Sequence, residues 1–176
     1  MKKISFIFVF LIAALFTQAA NSGIARDTLP RAFPLGQYDG LPFETLKNDH
    51  EQQLLAVCKG DMEIAYYLWI HLLKHMETHA TKTNFDLSGI KIWLYVFFNK
   101  DGSLDHISFY PKPTSRNFKN EDMSSFLTDF TRNYKLPLAS DRHFQHYSIG
   151  NFPVMVEKIP TPSGNTGGTK SVKGRN

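Results

Sequence analysis

Cysteine is almost missing: Cys58 stands alone among 176 residues. A disulfide framework and a cysteine-built zinc or iron–sulfur site are therefore excluded. Charge of one sign is also scarce. Charged residues make up 20% and the formal net charge is +4. The excess sits at the ends, on Lys2 and Lys3 and on Lys170, Lys173 and Arg175, so the body between is close to neutral. Nucleic-acid binding needs a basic face, and no nucleic acid is expected as a partner. Most glycines fall in the first 40 residues and after residue 160, so no phosphate-cradling loop is formed. There is no G-x-S-x-G elbow, and Asp105-His106 with a stray serine does not make a triad. Only one long apolar run exists, Ile4 to Phe16, and it is shorter than the ~20 residues a membrane helix needs.

What the chain does have in quantity is aromatic residues, with 15 Phe, 7 Tyr and 2 Trp. They are enough for a sizeable core in a chain of one domain's length. The apolar run follows Lys2-Lys3 and precedes Thr17-Gln18-Ala19. That order of positive start, apolar stretch and small residues is a secretory signal peptide over residues 1–19. The expected localisation is exported, either periplasmic or secreted, with no stable membrane span after cleavage.

Residues 20–43 carry Pro30, Pro34, Gly36, Gly40 and Pro42 and are expected to be an irregular lead-in. Residues 160–176 are a polar Gly/Ser/Thr tail, expected to be disordered. A single folded domain is expected over 44–159. Within it, Asn48 or Asp49 can cap a short helix running to about Lys59. Asp61 can cap a long helix over 62–80, in which Ala65, Leu68, Trp69, Leu72, Leu73 and Met76 recur at helical spacing. Ile90 to Phe98 is a strand with Ile90, Ile92, Leu94, Val96 and Phe98 on one face. Asn99-Lys100-Asp101-Gly102 is a hairpin turn in which Gly102 can take positive φ, and Ser103 to Tyr110 returns. Asn120 can cap a third helix striped by Met123, Phe126, Leu127, Phe130 and Tyr134. Phe144 to Ile149 and Pro153 to Ile159 are both expected to be extended, with Gly150-Asn151 between them, and the latter is expected to be the last strand. The order helix, hairpin, helix, strand gives an α+β fold: a small three-stranded antiparallel sheet with helices packed on it.

Ile90 to Val156 resembles the C-terminal domain of TonB-type proteins. The matching features are the apolar strand, the Asp101-Gly102 turn, the return strand, the helix, Pro137 after it and the closing strand. TonB proteins keep an N-terminal anchor and a long Pro-rich spacer, whereas this chain has a cleavable segment and a short lead-in. The resemblance therefore implies a non-catalytic module that binds a partner, in that family often through a sheet edge.

Two constellations are candidate sites. His71, His75 and His79 are four residues apart and form a row along the long helix, where imidazoles can bind zinc or copper. The competing reading is an ordinary polar row flanking the apolar stripe. The second candidate is the outward face of the hairpin. Lys91, Trp93, Tyr95 and Phe97 alternate away from the aliphatic face, and His106, Ser108 and Tyr110 join them from the return strand. Trp93, Tyr95, Phe97, His106 and Tyr110 are the expected partner-binding residues, unless the long helix or the lead-in covers them. Cys58 is expected to be an apolar helical residue rather than a nucleophile.

The expected function is thus an exported, non-enzymatic module that binds an envelope or extracellular protein, with no cofactor. The alternatives are a small exported metal-binding protein or enzyme using the His row, and a structural module that associates with itself.

Overall fold

A computed structural model describes residues 29–155. The expected signal peptide, residues 20–28 of the expected lead-in, residues 156–159 of the expected last strand and the expected tail over 160–176 lie outside the described residues.

The elements in chain order are β1 (Ala32–Pro34), α1 (Leu41–Asp49), β2 (Gln52–Gln53), α2 (Leu54–Val57), α3 (Met62–Thr83), β3 (Lys91–Phe98), β4 (Leu104–Pro111), α4 (Asn120–Asn133) and β5 (Phe144–Asn151). The fold is α+β, but the sheet is not the expected three antiparallel strands. It has five strands in the order β1-β4-β3-β5-β2. The central three, β4-β3-β5, are antiparallel. β1 runs parallel to β4, and β2 runs parallel to β5. Both additions are only two or three residues long, too short to show an alternating pattern, and they exist because a longer strand offers them an edge.

Local chemistry explains the elements that were expected. The Asp61 side chain accepts from the Ile64 N–H at 3.0 Å and caps α3, and Asn84 ends it in the left-handed conformation at φ 54°. The β3–β4 turn closes with Asn99 N–H on Ser103 O at 2.8 Å and Gly102 N–H on Asn99 O at 2.9 Å. The α4 stripe of Met123, Phe126, Leu127 and Phe130 is buried, and so is Tyr134 just after it.

Four boundaries differ from expectation. From residue 29 on, the segment expected as an irregular lead-in supplies β1 and the start of α1, where Pro42 fits because the first helical turn needs no N–H. The helix expected from Asn48 to Lys59 is broken by β2, since Gln52 and Gln53 pair with Phe144 and Gln145. Asn120 is the first residue of α4 and not its cap; Lys119 precedes it and gives no side-chain cap. The last strand is Phe144–Asn151, with Gly150 and Asn151 inside it, and not the segment after Pro153. At Gly150 an added Cβ would come 3.1 Å from a Leu94 methyl and 3.4 Å from a Leu73 methyl, so glycine here lets α3 lie close over the strand.

The aliphatic face of β3, namely Ile92, Leu94, Val96 and Phe98, is at most 1% exposed. It shares one core with Leu68, Leu72, Leu73 and Met76 of α3 and Met123, Phe126, Leu127 and Phe130 of α4. A second, smaller core lies on the other face, where Leu29, Phe33, Phe43 and Leu46 enclose Phe97. The long helix therefore does not cover the aromatic face. The lead-in and α1 cover part of it.

Candidate functional site

The pleat places Lys91, Trp93, Tyr95 and Phe97 of β3 on the outward face. Their direct neighbours are Tyr110, Ser108 and His106 on β4 and Asn151, Ile149, Tyr147 and Gln145 on β5. The face is divided. Toward the turn end, α1 together with Leu29 and Phe33 covers Phe97, and His106, Ser108 and Gln145 beside it are buried. Phe97 and His106 are thus withdrawn from the expected partner-binding set. Phe43 meets Phe97 edge-on at 6.1 Å and Tyr95 at 5.9 Å, so α1 stops over Tyr95.

Beyond Tyr95 the face is open. Trp93 stacks on Tyr147 with ring centres 5.2 Å apart and planes 10° apart. Tyr147 also touches Tyr95 at 4.9 Å. Tyr110 is 53% exposed and Tyr147 44%. The Lys112 ammonium sits 5.4 Å from the Trp93 ring centre, a cation–π contact. Tyr110 and Lys112 also border a hollow of about 280 Å³ lined by Pro111, Pro113 and Phe118. Tyr147 was missed because the extended segment Phe144–Ile149 was not taken as the strand that pairs with the hairpin. The alternation of Gln145, Tyr147, Ile149 and Asn151 against the buried Phe144 and Gly150 is the signal that finds it.

The strand edges offer less. β1 pairs with Ile107 to Phe109 on one side and β2 with Phe144 and Gln145 on the other. The indole N–H of Trp69 donates to Ile149 O at 3.2 Å along the remaining edge of β5. Short strands and side-chain cover of this kind blunt an edge.

The His row is parted among different partners. His71 Nδ1 lies 3.0 Å from the Tyr134 hydroxyl. Burial pushes the Tyr134 phenol well above its usual range, and burial together with nearby His75 holds His71 below its usual value. A neutral imidazole and a protonated phenol therefore share this hydrogen bond, and His71 Nδ1 is engaged by Tyr134. His75 is exposed and stacks on His71 at 4.3 Å. His79 Nε2 instead meets Asp129 Oδ2 of α4 at 2.9 Å. Among the described residues no group of three or more His, Cys, Asp or Glu side chains is arranged to hold a metal ion.

A different imidazole cluster lies under α1, and the sequence did not point to it. His50 is fully buried, and its Nδ1 donates to Leu46 O at 2.9 Å. Its Nε2 lies 3.3 Å from Asp105 Oδ2, and His106 Nδ1 lies 3.4 Å from the same oxygen. The register shift between Phe97 and Phe98 is a bulge that turns Asp105 to the same side as His106. The cluster pins α1 to the sheet by polar contacts. Both imidazoles are sealed from solvent, which leaves no access for a substrate.

Cys58 is buried. Its thiol is pushed up first by burial and then by the nearby Asp61 carboxylate. Both effects oppose the thiolate a nucleophile requires.

Comparison with protein-family models, with curated proteins and with solved structures finds no match.

Proposed function

We propose that this protein is an exported, non-enzymatic module that binds another protein through the open half of its sheet, at Trp93, Tyr95, Tyr110 and Tyr147. One observation carries the reading. A single sheet face is sealed over Phe97, half covered at Tyr95, and left uncovered by α1 at Trp93, Tyr110 and Tyr147. Aromatic side chains dominate binding energies at interfaces. The resemblance of the hairpin, helix and strand order to a TonB C-terminal domain supports a binding role. The blunted edges favour the face over the edge as the contact. The N-terminal segment supports export into the periplasm or beyond it.

Two measurements test this. N-terminal sequencing of the mature protein should begin between Ala20 and Gly23; an intact Met1 in a membrane fraction refutes cleavage. The purified chain should capture from envelope extract a protein that Trp93→Ala and Tyr110→Ala both lose. Trp93 is only partly buried, so its truncation should cost no more than about 1–2 kcal/mol of stability. Capture by both variants equal to that of the parent refutes this surface.

A further inference from the structure

We infer that the occupant of the open face is a separate polypeptide presenting acidic side chains around an aromatic or apolar anchor, and not a second copy of this chain. The inference rests on the partner-binding reading above and specifies its chemistry.

The charge on the outward strand positions of the open face is of one sign, and Glu44 on the bordering α1 is paired with Lys47 at 3.3 Å. From Lys91 to Tyr95, from Ser108 to Tyr110 and from Tyr147 to Asn151, the outward positions hold one cation and no acid. Lys112 adds a second cation directly over Trp93, and its backbone N–H reaches Lys91 O at 2.9 Å, so the two lysines share one corner. Asp86, in the segment leading to β3, is paired with Arg116 at 3.2 Å. Asp105 lies at the other end, beside His50 and His106 under α1.

A two-fold dimer places the same patch against itself. The outward positions of that patch hold no acid, so neither Lys91 nor Lys112 finds a charge partner across a self-interface, and like charges there select against the pairing. The chain's own terminal segments do not supply the missing charge. In the mature chain, residues 20–28 set Arg26 against Asp27 and are neutral, and residues 156–176 set Lys158, Lys170, Lys173 and Arg175 against Glu157 and are net positive. Neither offers an excess of acid, which points to an occupant in trans. The hollow beside Tyr110 mixes Pro111, Pro113 and Phe118 with Ser115, Arg116 and Asn117, a lining that suits an inserted aromatic side chain with a polar tip, such as tyrosine.

A random peptide library selected on the purified chain, then counter-selected on the Trp93→Ala variant, tests the inference. The expected Trp93-dependent binders carry net negative charge and at least one aromatic or large apolar residue. Their affinity should fall about tenfold or more with Lys91→Glu/Lys112→Glu, and high salt should weaken them on the parent chain. Far-ultraviolet circular dichroism of the variant should be unchanged. Trp93-dependent binders that are neutral or basic overturn the acidic chemistry and leave the binding face standing. A dimer in sedimentation that Trp93→Ala dissociates overturns the inference in favour of self-association. A monomer with no Trp93-dependent binder overturns both this inference and the reading beneath it.

Discussion

Replacing Gly102 with alanine tests how the β3–β4 turn is held in the fold. Gly102 has φ 86°, a left-handed value that costs an L-residue about 1–2 kcal/mol. Alanine recovers roughly 0.4–1 kcal/mol of this by narrowing the unfolded chain. On backbone conformation alone the substitution should therefore cost about 1 kcal/mol. The tertiary structure adds a second effect. A Cβ at Gly102 would collide with the backbone carbonyl oxygens of Leu136 and Leu138. Those carbonyls cannot swing aside as a side chain would: Leu136 N–H donates to Gly102 O at 2.9 Å, and Ser103 bridges to Lys135. Forcing extra volume into a packed site costs typically ~1–3 kcal/mol. The total should thus be about 3 kcal/mol, a large share of the ~5–15 kcal/mol of a typical domain. Gly60 is the internal control, because it has a similar φ of 82° and nothing within 4 Å of an added Cβ. Urea unfolding of Gly102→Ala and Gly60→Ala should give costs of about 3 and about 1 kcal/mol with unchanged slopes. Equal costs would refute the argument that the turn is clamped by the segment after α4.

Phe130 is 2% exposed in the main core and stacks on Tyr134 at 5.1 Å, so Phe130→Ala should cost ~3–5 kcal/mol in thermal or urea unfolding; a loss below about 1 kcal/mol would show that α4 does not pack as described. Burial beside Trp69 lowers His146 from its usual 6.5 to about 4. The unfolded chain then binds a proton that the folded chain refuses, so stability is intact above pH 6.5 and is lost as pH falls toward 4. The loss reaches up to about 3 kcal/mol from this residue. His146→Gln should flatten that part of the stability–pH curve, and an unchanged slope would refute the assignment.

Local chemistry alone determined much of this protein. Asp61 starts α3 and Asp101-Gly102 turns the hairpin. The period of apolar residues in α3, β3 and α4 selects the faces that form the main core. These features depend on neighbours within a few residues, which is why they were legible in the sequence. Tertiary structure decided the rest. β1 and β2 exist only because β4 and β5, tens of residues away in sequence, present backbone groups for them to pair with. The His row looked like one site because helical spacing aligns its members. It divides because Tyr134 and Asp129, each contributed from the region of α4, take different imidazoles. Nothing in the alternation of Trp93, Tyr95 and Phe97 tells which ring is sealed. That depends on where α1 lands, with His50 set beside Asp105 and Phe43 set against Phe97. The helix stops over Tyr95, and Tyr147 from a distant strand completes the aromatic cluster that remains open.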